Sequence, residues 1–213
     1  MKTTFYIVRH GQSIGNLRLM FLGHTDMDLS DLGREQADVT CKRLADVDFA
    51  LIASSDLIRA YNTALPHAKA RGVEVYTDER FRELYCGEWE GMFVTDIKEK
   101  YGELYTDEWV HHFGIFEMPK GESMPDCVKR MTDGCIELAE RYPDGNILIA
   151  SHGGTIRGFY ASVLGIEPSE VGDKLGWATN ASYSIVEYDG EKFTPVAYSV
   201  DDHLEGITSE WKD

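Results

Sequence analysis

The chain has 213 residues, a mass of 24.1 kDa and a formal net charge of −16. Hydrophobic residues make up 43% of the sequence and charged residues 27%, a balance typical of a globular chain that buries a sizeable core without disulfides. The acidic balance argues against a general binder of nucleic acid or of anionic membranes, because either partner needs a basic face.

The cysteines and the start of the chain indicate a reducing compartment. None of Cys41, Cys86, Cys127 and Cys135 forms a Cys-x-x-Cys pair, so we expect four reduced thiols. The apolar run at residues 5–8 is too short for a signal-peptide core. No stretch approaches the roughly 18 consecutive apolar residues of a membrane span. We therefore expect a cytoplasmic protein with no membrane or nucleic-acid partner.

Predicted strands and helices alternate along the chain. The predicted strands cover residues 5–8, 49–53, 73–76, 146–150, 184–188 and 194–199, the last two joined by a turn at Asp189-Gly190. The predicted helices run from a cap at Ser30 to about Leu44, over 57–70 with a bend at Pro66 and an end at Gly72, over 122–142, over 153–164 and from Pro168. This alternation predicts an α/β fold, a three-layer α/β/α sandwich with a mostly parallel central sheet. Without repeats or linkers, we expect one domain over residues 1–213.

Aromatic residues concentrate in one segment, residues 85–116, which holds eight of the 24 in the chain. Tyr85, Trp89 and Phe93 are spaced by four residues, and so are Tyr101, Tyr105, Trp109 and Phe113, a period that fits helices. One interpretation is core packing of those helices, which we favour. The other is a cap-like specificity segment, over about residues 85–120, whose aromatic walls face a substrate.

Two segments share a pattern in which an apolar strand ends in a histidine followed by glycine. They are His10-Gly11, preceded by Arg9, and His152-Gly153. Each histidine would lie at the carboxyl end of a strand, where open α/β sheets place their ligands. The glycines let backbone approach a ligand closely, and the second begins a helix whose free N–H groups favour an anion.

A third segment matches in position, since Arg59 follows a strand end at Ser54-Ser55 on the first turn of a helix. Its planar guanidinium can present a fork of donors to phosphate oxygens. Taken singly, a histidine at a strand end is more often structural, and an arginine on a helix is usually solvated. Two histidines and two arginines at one sheet edge, in an acidic protein, predict a phosphate site.

Six segments resemble, in the same order, the motifs of the histidine phosphatase superfamily, the phosphoglycerate-mutase-like proteins. They are RHGQSIGN at 9–16, DMDLSDLGREQA at 26–37, SSDLIRAYNTA at 54–64, RELYCGEWEG at 82–91, GES at 121–123 and SHGG at 151–154. The resemblance runs from residue 7 to about residue 160. Asp28 and Asp56 stand where the family usually has proline, and Asn62 where it has glutamine. We expect the two aspartates to cap helices.

The resemblance implies a catalytic role for five residues. His10 would be the nucleophile, which attacks phosphorus and forms a phosphohistidine. Arg9, Arg59 and His152 would hold the phosphoryl oxygens. Glu83 would protonate the leaving oxygen and then activate the water that hydrolyses the phosphohistidine.

Further residues are expected around the substrate. Gln12 and Asn16 would add hydrogen bonds at the rim, and Gly153 would bring backbone to the phosphate. Gly23 and His24 could form an edge of the pocket, although a solvated loop histidine is an equal alternative. The resemblance implies no metal and no cofactor.

Other charged residues carry weaker signals. Arg157 fits a helix-surface or ion-paired arginine, and Lys120 fits a solvated lysine. The adjacent pair His111-His112 does not predict a metal site, because neighbouring helical residues point about 100° apart and no third ligand is near in sequence.

The family contains both phosphatases and mutases. Cofactor-dependent mutases carry a paired-arginine motif between the acid and the second histidine, whereas residues 84–151 here contain only Arg130 and Arg141. We therefore favour hydrolysis of a small phosphorylated metabolite, as in the broad-specificity and α-ribazole-phosphatase-like branch. The alternatives are a cofactor-dependent phosphoglycerate mutase and a catalytically weak member that binds phosphate or phosphoproteins.

Overall fold

The structure of the protein is a computed structural model that describes residues 2–102, 109 and 111–209. Six strands of this part of the chain form one sheet: β1 (Thr3–Arg9), β2 (Phe49–Ser54), β3 (Tyr76–Thr77), β4 (Asn146–Ser151), β5 (Tyr183–Tyr188) and β6 (Phe193–Val200). Their order across the sheet is β3-β2-β4-β1-β5-β6. The pairings from β3 to β1 are parallel, and β5 is antiparallel to both β1 and β6.

Helices cover both faces of this sheet. Their bounds are α1 (Ile14–Leu17), α2 (Asp31–Arg43), α3 (Ile58–Arg71), α4 (Val94–Tyr101), α5 (Met124–Arg141), α6 (Gly153–Val163) and α7 (Val171–Lys174). On one face α3 packs on β2 and β4 and contacts α2. On the other, α6 packs on β1 and β6 and contacts α5. The predicted three-layer α/β/α sandwich is confirmed.

The side-chain alternation of the central strand β4 accounts for these layers. Ile147 and Ile149 belong to the core shared with α5 and α6. Leu148 and Ala150 belong to the core under α3. Because neighbouring strand residues point to opposite faces, a strand that is apolar throughout is stable only when both faces are covered.

Helix ends follow local chemistry, as predicted. Ser30 is the N-cap of α2, where its side chain accepts the backbone N–H of Gly33. Gly72 ends α3 in the left-handed conformation with φ 67°. The strand predicted over residues 73–76 is shorter than expected, since β3 begins at Tyr76.

The aromatic spacing at residues 85–93 does not reflect an α-helix, so that prediction was wrong. Gly87 and Gly91 have φ values of 54° and 70°, which interrupt any helix. A short 3₁₀ turn spans Gly87–Trp89 instead, and α4 begins only at Val94. Tyr105, in the second run of spacings, lies outside the described residues.

The two aspartates that replace family prolines do not cap helices, which corrects a second expectation. The first backbone N–H of α3 donates to Asp26 Oδ1 at 2.8 Å. Asp56 instead accepts from Arg82 Nε at 2.7 Å, and Asp28 accepts from Asn62 Nδ2 at 2.6 Å. Asp28 and Asn62, which both differ from the family pattern, therefore form a hydrogen bond with each other.

All four cysteines are free thiols, and those at 86, 127 and 135 are buried. Burial raises the pKa of the Cys127 thiol to about 12 and that of Cys86 well above 9.0. Within the described part of the chain, no helix combines the length and the apolar character needed to cross a membrane.

Candidate active site

The carboxyl ends of β1 and β4 bring the two histidines together. Arg9 pairs with Ser151 in the parallel register, and the His10 N–H donates to the Ser151 carbonyl at 2.9 Å. The His10 and His152 rings lie with their centroids 5.2 Å apart. The backbone ladder itself therefore sets the spacing of two residues that are 142 positions apart.

The ring of His10 is held as a neutral imidazole. Its Nδ1 lies 2.7 Å from the Gly11 carbonyl, and because a carbonyl only accepts, Nδ1 carries the proton and Nε2 keeps its lone pair. Burial lowers the pKa of His10 well below 6.5, and the charges of Arg59 and Arg9 lower it further. The side chain is buried and its free nitrogen is unprotonated at neutral pH.

The loop after His10 is fixed by contacts with α2 and α3. A Cβ on Gly11 would lie 2.3 Å from the Gly33 carbonyl oxygen, so side chains at this crossing are sterically excluded. Gln36 Oε1 accepts the Gln12 N–H at 2.8 Å, and Thr63 Oγ1 accepts the Gly11 N–H at 3.0 Å. The glycine and glutamine of the second motif thus fix the conformation of the first.

Two buried arginines carry guanidinium groups that are only partly satisfied. Arg59 donates to the carbonyls of Gly23, at 2.6 Å, and Thr25, at 3.0 Å. Arg9 donates to the carbonyl of Ala178. The Nε atoms of both arginines are buried without a hydrogen-bond partner among the described residues.

His152 shares this condition, since neither ring nitrogen has a partner among the residues described. Burial lowers its pKa well below 6.5, with further lowering by Arg59 and His10. Burial also lowers the pKa of Arg9 and that of Arg59, while the nearby Glu83 raises both pKa values. An orphaned buried donor costs about 1–3 kcal/mol, and an anion with several acceptor oxygens can accept from more than one donor of this kind.

The Glu83 carboxylate lies at the N-terminus of α6. One oxygen accepts the Thr155 N–H at 2.9 Å and the other accepts the Gly154 N–H at 3.1 Å. A Cβ on Gly154 would stand 2.8 Å from the carboxylate, so the glycine allows this approach. Helix N–H groups therefore aim the carboxylate at the cavity that also contains His10.

Two side chains hold the backbone carbonyl of Glu83 in place. Its carbonyl accepts from His24 Nε2 at 2.8 Å and from the Arg130 guanidinium at 2.9 Å. Arg130 also donates to the carbonyls of residues 80 and 82, and it pairs with Glu122 at 2.7 Å. The GES motif thus supplies a glutamate that orients an arginine under the candidate acid.

These groups surround a cavity of about 510 Å³. Its polar side, as we name it, comprises Arg9, His10, Arg59 and Glu83 with the backbone at 153–154. Its aromatic side comprises Phe21, Trp109 and Trp177. The cavity is lined by seven of the ten predicted site residues, namely Arg9, His10, Asn16, Gly23, Arg59, Glu83 and Gly153.

Three predicted residues lie outside that lining. His152 stands directly behind, against the His10 ring. The Gln12 side chain accepts from Ser30 at 2.8 Å. His24 borders a neighbouring cleft with Tyr85, its ring centroid 5.3 Å from that of the tyrosine.

Sequence reasoning missed Asn180 and the aromatic side. Asn180 Nδ2 donates to the His10 carbonyl at 3.0 Å, and its buried Oδ1 has no partner among the described residues. The residue precedes β5, so only the pairing of β5 with β1 brings it to the site. Trp177 precedes it in the same loop, and no local motif signals either residue.

Arg157 was expected at a helix surface or in an ion pair, and the structure corrects this. It is buried, and its guanidinium lies 4.6 Å from the ring centre of Phe113 and 4.7 Å from that of Trp177. Its Nε donates to the Leu175 carbonyl at 2.7 Å. The Arg157 side chain of α6 therefore meets these rings rather than solvent.

The remaining weak signals have ordinary explanations. Lys120 is exposed and pairs with Glu88 at 2.7 Å. His111 and His112 are both exposed. Over the residues that the structure describes, no group of three or more His, Cys, Asp or Glu side chains could hold a metal.

Known proteins are similar to this chain over most of its length. The family model of the histidine phosphatase superfamily (branch 1) matches residues 5–201. Phosphoserine phosphatase 1 of Hydrogenobacter thermophilus is 31% identical over 201 residues, which cover 93% of this chain and 92% of that protein. A 2,3-bisphosphoglycerate-dependent phosphoglycerate mutase of Allorhizobium ampelinum is 34% identical over 164 residues, covering 74% of this chain and 77% of that protein.

A solved structure agrees with the sequence matches. The mycobacterial glucosyl-3-phosphoglycerate phosphatase in complex with VO3 superposes with a TM-score of 0.85 at 28% identity, covering 92% of this chain and 98% of that one. Motifs, fold and these matches over most of the chain lead to one conclusion: the chain belongs to the histidine phosphatase superfamily.

Proposed function

We propose that this protein hydrolyses small phosphomonoesters without a metal, through a phosphohistidine on His10. The observation that carries the proposal is the neutral His10 ring, with its Nε2 lone pair free among buried donors that lack partners. A nucleophile for phosphorus needs this lone pair, and a phosphoryl group needs these donors.

In the first step, the Nε2 lone pair of His10 attacks phosphorus and the bond from phosphorus to the leaving oxygen breaks. The leaving oxygen takes a proton from the Glu83 carboxyl, which is thereby ionised. Nδ1 keeps its proton on the Gly11 carbonyl, so the ring becomes cationic as Nε2 is phosphorylated. The product alcohol leaves neutral.

In the second step, the Glu83 carboxylate takes a proton from water, and the water oxygen attacks phosphorus. The bond from Nε2 to phosphorus breaks, the ring returns to its neutral form and phosphate is released. One carboxyl serves as acid and then as base, and the helix N–H groups hold both of its oxygens at the cavity.

Throughout both steps, Arg9 and Arg59 hold the phosphoryl oxygens. Both side chains already line the cavity, so little reorganisation accompanies the change in charge distribution. Asn180 holds the backbone carbonyl of His10 and fixes the direction of the ring.

Phosphoryl transfer between substrates is the competing function, since one relative of 34% identity is named as a mutase. A mutase must also bind a second anionic group of its bisphosphorylated cofactor. In the described lining of the cavity, the arginines are Arg9 and Arg59, both on the polar side, and no lysine is present. This distribution favours water as the phosphoryl acceptor.

The test compares the wild type with His10→Ala on a panel of phosphomonoesters in EDTA, measuring released phosphate. We expect release by the wild type and at least about a 10⁴-fold loss in the variant. Alkaline quenching with ³²P-labelled substrate should trap label on the wild type alone. Isomerisation of 3-phosphoglycerate without net release would favour the mutase, and substantial turnover by His10→Ala would refute the nucleophile.

We further propose that residues 1–213 form one domain, with residues 85–120 as a cap-like specificity segment. Phe113, Phe116 and Met118 are buried in the same core as β1 and β4, which supports this. The four free thiols support a cytoplasmic setting. Limited proteolysis and cell fractionation test the two statements.

A further inference from the structure

The aromatic side of the cavity is a continuous wall of three rings. The ring of Trp109 lies 5.3 Å from that of Phe21 and 5.8 Å from that of Trp177, measured between centroids. All three residues line the cavity that contains His10. A Cβ on Gly153 would stand 3.2 Å from the Arg9 guanidinium and 3.4 Å from the Trp177 indole, so the wall adjoins the polar side directly.

Phe21 and Trp109 pack against the main hydrophobic core, but core packing does not account for the exposed part of the wall. Trp177 is 45% exposed, whereas Phe113, which it contacts at 4.9 Å, is fully buried. Phe21 and Trp109 are half-buried. A large ring left partly open to solvent beside reactive groups offers contact area for a ligand.

The wall is also held in place before any ligand arrives. The Arg157 guanidinium lies against both Trp177 and Phe113, and it is anchored on the carbonyls of Val171, Gly172 and Leu175. Rings fixed in this way lose little conformational entropy when a ligand binds.

Among the described residues that line the cavity, no cation stands on the aromatic side. The arginines of this lining belong to the polar side, where the phosphate needs them, and the lining contains no lysine. A carboxylate placed against the wall would lose water without gaining a partner.

We propose that the substrate is a phosphomonoester of an uncharged, largely apolar alcohol, with an aromatic ring seated against Trp109 and Trp177. This inference rests on the proposed phosphatase activity and narrows it to one substrate class. The polar side supplies the chemistry common to all monoesters, and the aromatic side selects the alcohol.

The first test compares kcat/KM for four primary alkyl monoesters: 2-phenylethyl phosphate, glycerol 1-phosphate, 3-phosphoglycerate and choline phosphate. Their leaving groups are all primary alkoxides, so differences report mainly the alcohol side. We expect 2-phenylethyl phosphate to exceed each of the others at least about tenfold, the effect of burying one phenyl group. If the enzyme prefers 3-phosphoglycerate, the inference that the substrate has no second anionic group is wrong. If it prefers choline phosphate, the inference that the alcohol is uncharged is wrong.

The second test removes the wall. Trp177→Ala should lower kcat/KM for 2-phenylethyl phosphate about tenfold, mainly through KM, and lower kcat/KM for glycerol 1-phosphate much less. Trp177→Phe should recover most of the loss. Phe93→Ala is the matched control, since Phe93 is an aromatic residue of 44% exposure that lies outside the described cavity lining.

The outcomes separate the two levels of the proposal. Phosphate release from none of the esters would refute the phosphatase activity itself. Release with equal loss of all substrates in Trp177→Ala, or with the same selective loss in Phe93→Ala, would leave the activity standing and overturn the substrate class.

Discussion

The two sides of the cavity are built in different ways. The polar side is assembled by the sheet, because Arg9, His10 and the backbone at 153–154 lie where neighbouring parallel strands end. The aromatic side is assembled by packing, because Phe21, Trp109 and Trp177 come from three segments that share no strand or helix with one another. Topology therefore positions the groups of the polar side, whereas side-chain packing between separate segments forms the aromatic side.

The two sides also differ in how their groups are satisfied. Buried nitrogens of Arg9, Arg59 and His152 lack partners within the described structure, whereas the rings of the aromatic side contact one another. Unsatisfied buried donors lower the stability of the fold, and binding of an anion on the polar side would recover part of that loss. Substitutions on the two sides should accordingly produce different kinetic signatures.

The largest expected effect beyond the loss of the nucleophile comes from Glu83→Gln. The amide cannot protonate a poor leaving oxygen, so we expect about a 10²–10³-fold loss of kcat/KM for an alkyl phosphate. An aryl phosphate, whose oxygen leaves without help, should show a much smaller loss in the first step. Rapid-quench kinetics should then reveal a phosphoenzyme burst, since water is no longer activated. Equal losses for both esters would contradict the acid role.

Arg59→Lys tests whether the polar side acts on every monoester alike. A lysine keeps the charge but not the planar fork that donates to the carbonyls of Gly23 and Thr25 at the cavity. We expect about a 10²-fold loss of kcat/KM, of the same size for 2-phenylethyl and glycerol phosphates. A loss confined to one of these esters would break the distinction between the two sides.

Arg130→Met tests whether a residue behind the polar side acts through Glu83. The guanidinium holds the carbonyl of Glu83 from outside the cavity lining, so its removal should misplace the acid. We expect about a tenfold lower kcat for alkyl phosphates and a smaller loss for aryl phosphates.

Arg80→Met is the control for this variant. The Arg80 side chain pairs with Asp78 and Glu137 rather than with the Glu83 carbonyl, so kcat should stay near the wild-type value. If Arg130→Met lowered alkyl and aryl turnover equally, the arginine would be structural only.

The smallest expected effect concerns acid stability, with His67 as a reference outside the cavity. Burial, with Arg71 nearby, lowers the pKa of His67 to about 4. A histidine whose folded pKa lies below its unfolded value near 6.5 contributes stability above pH 6.5, which is lost as the pH falls. From pH 7.5 to pH 5 this amounts to about 2 kcal/mol.

Urea unfolding at both pH values measures this loss in the wild type and in His67→Leu. The variant should lose about 2 kcal/mol less. The acid sensitivity that remains should come largely from His10 and His152, whose pKa values are lowered by burial on the polar side. An unchanged loss in His67→Leu would contradict the buried neutral state of that ring.

Local sequence was sufficient for much of the fold. Apolar runs ending in Gly or in polar residues located the strands, and Ser30 and Gly72 located helix ends. Local patterns gave wrong predictions where tertiary contacts compete with local preferences. The four-residue aromatic spacing predicted a helix that Gly87 and Gly91 interrupt, and Asp56 binds Arg82 rather than capping α3.

The sequence by itself determined the family and the residues of the polar side, because both follow from short motifs. It also determined the sandwich, which follows from the alternation of strands and helices. Only the tertiary structure decided the neighbours of Arg157, the contact of Asn180 with His10 and the wall formed by Trp109 and Trp177. The physical reason is the distance along the sequence between the residues that specify each feature. A strand end or a helix cap is specified by a few adjacent residues, whereas these contacts join side chains across the fold that no local pattern pairs.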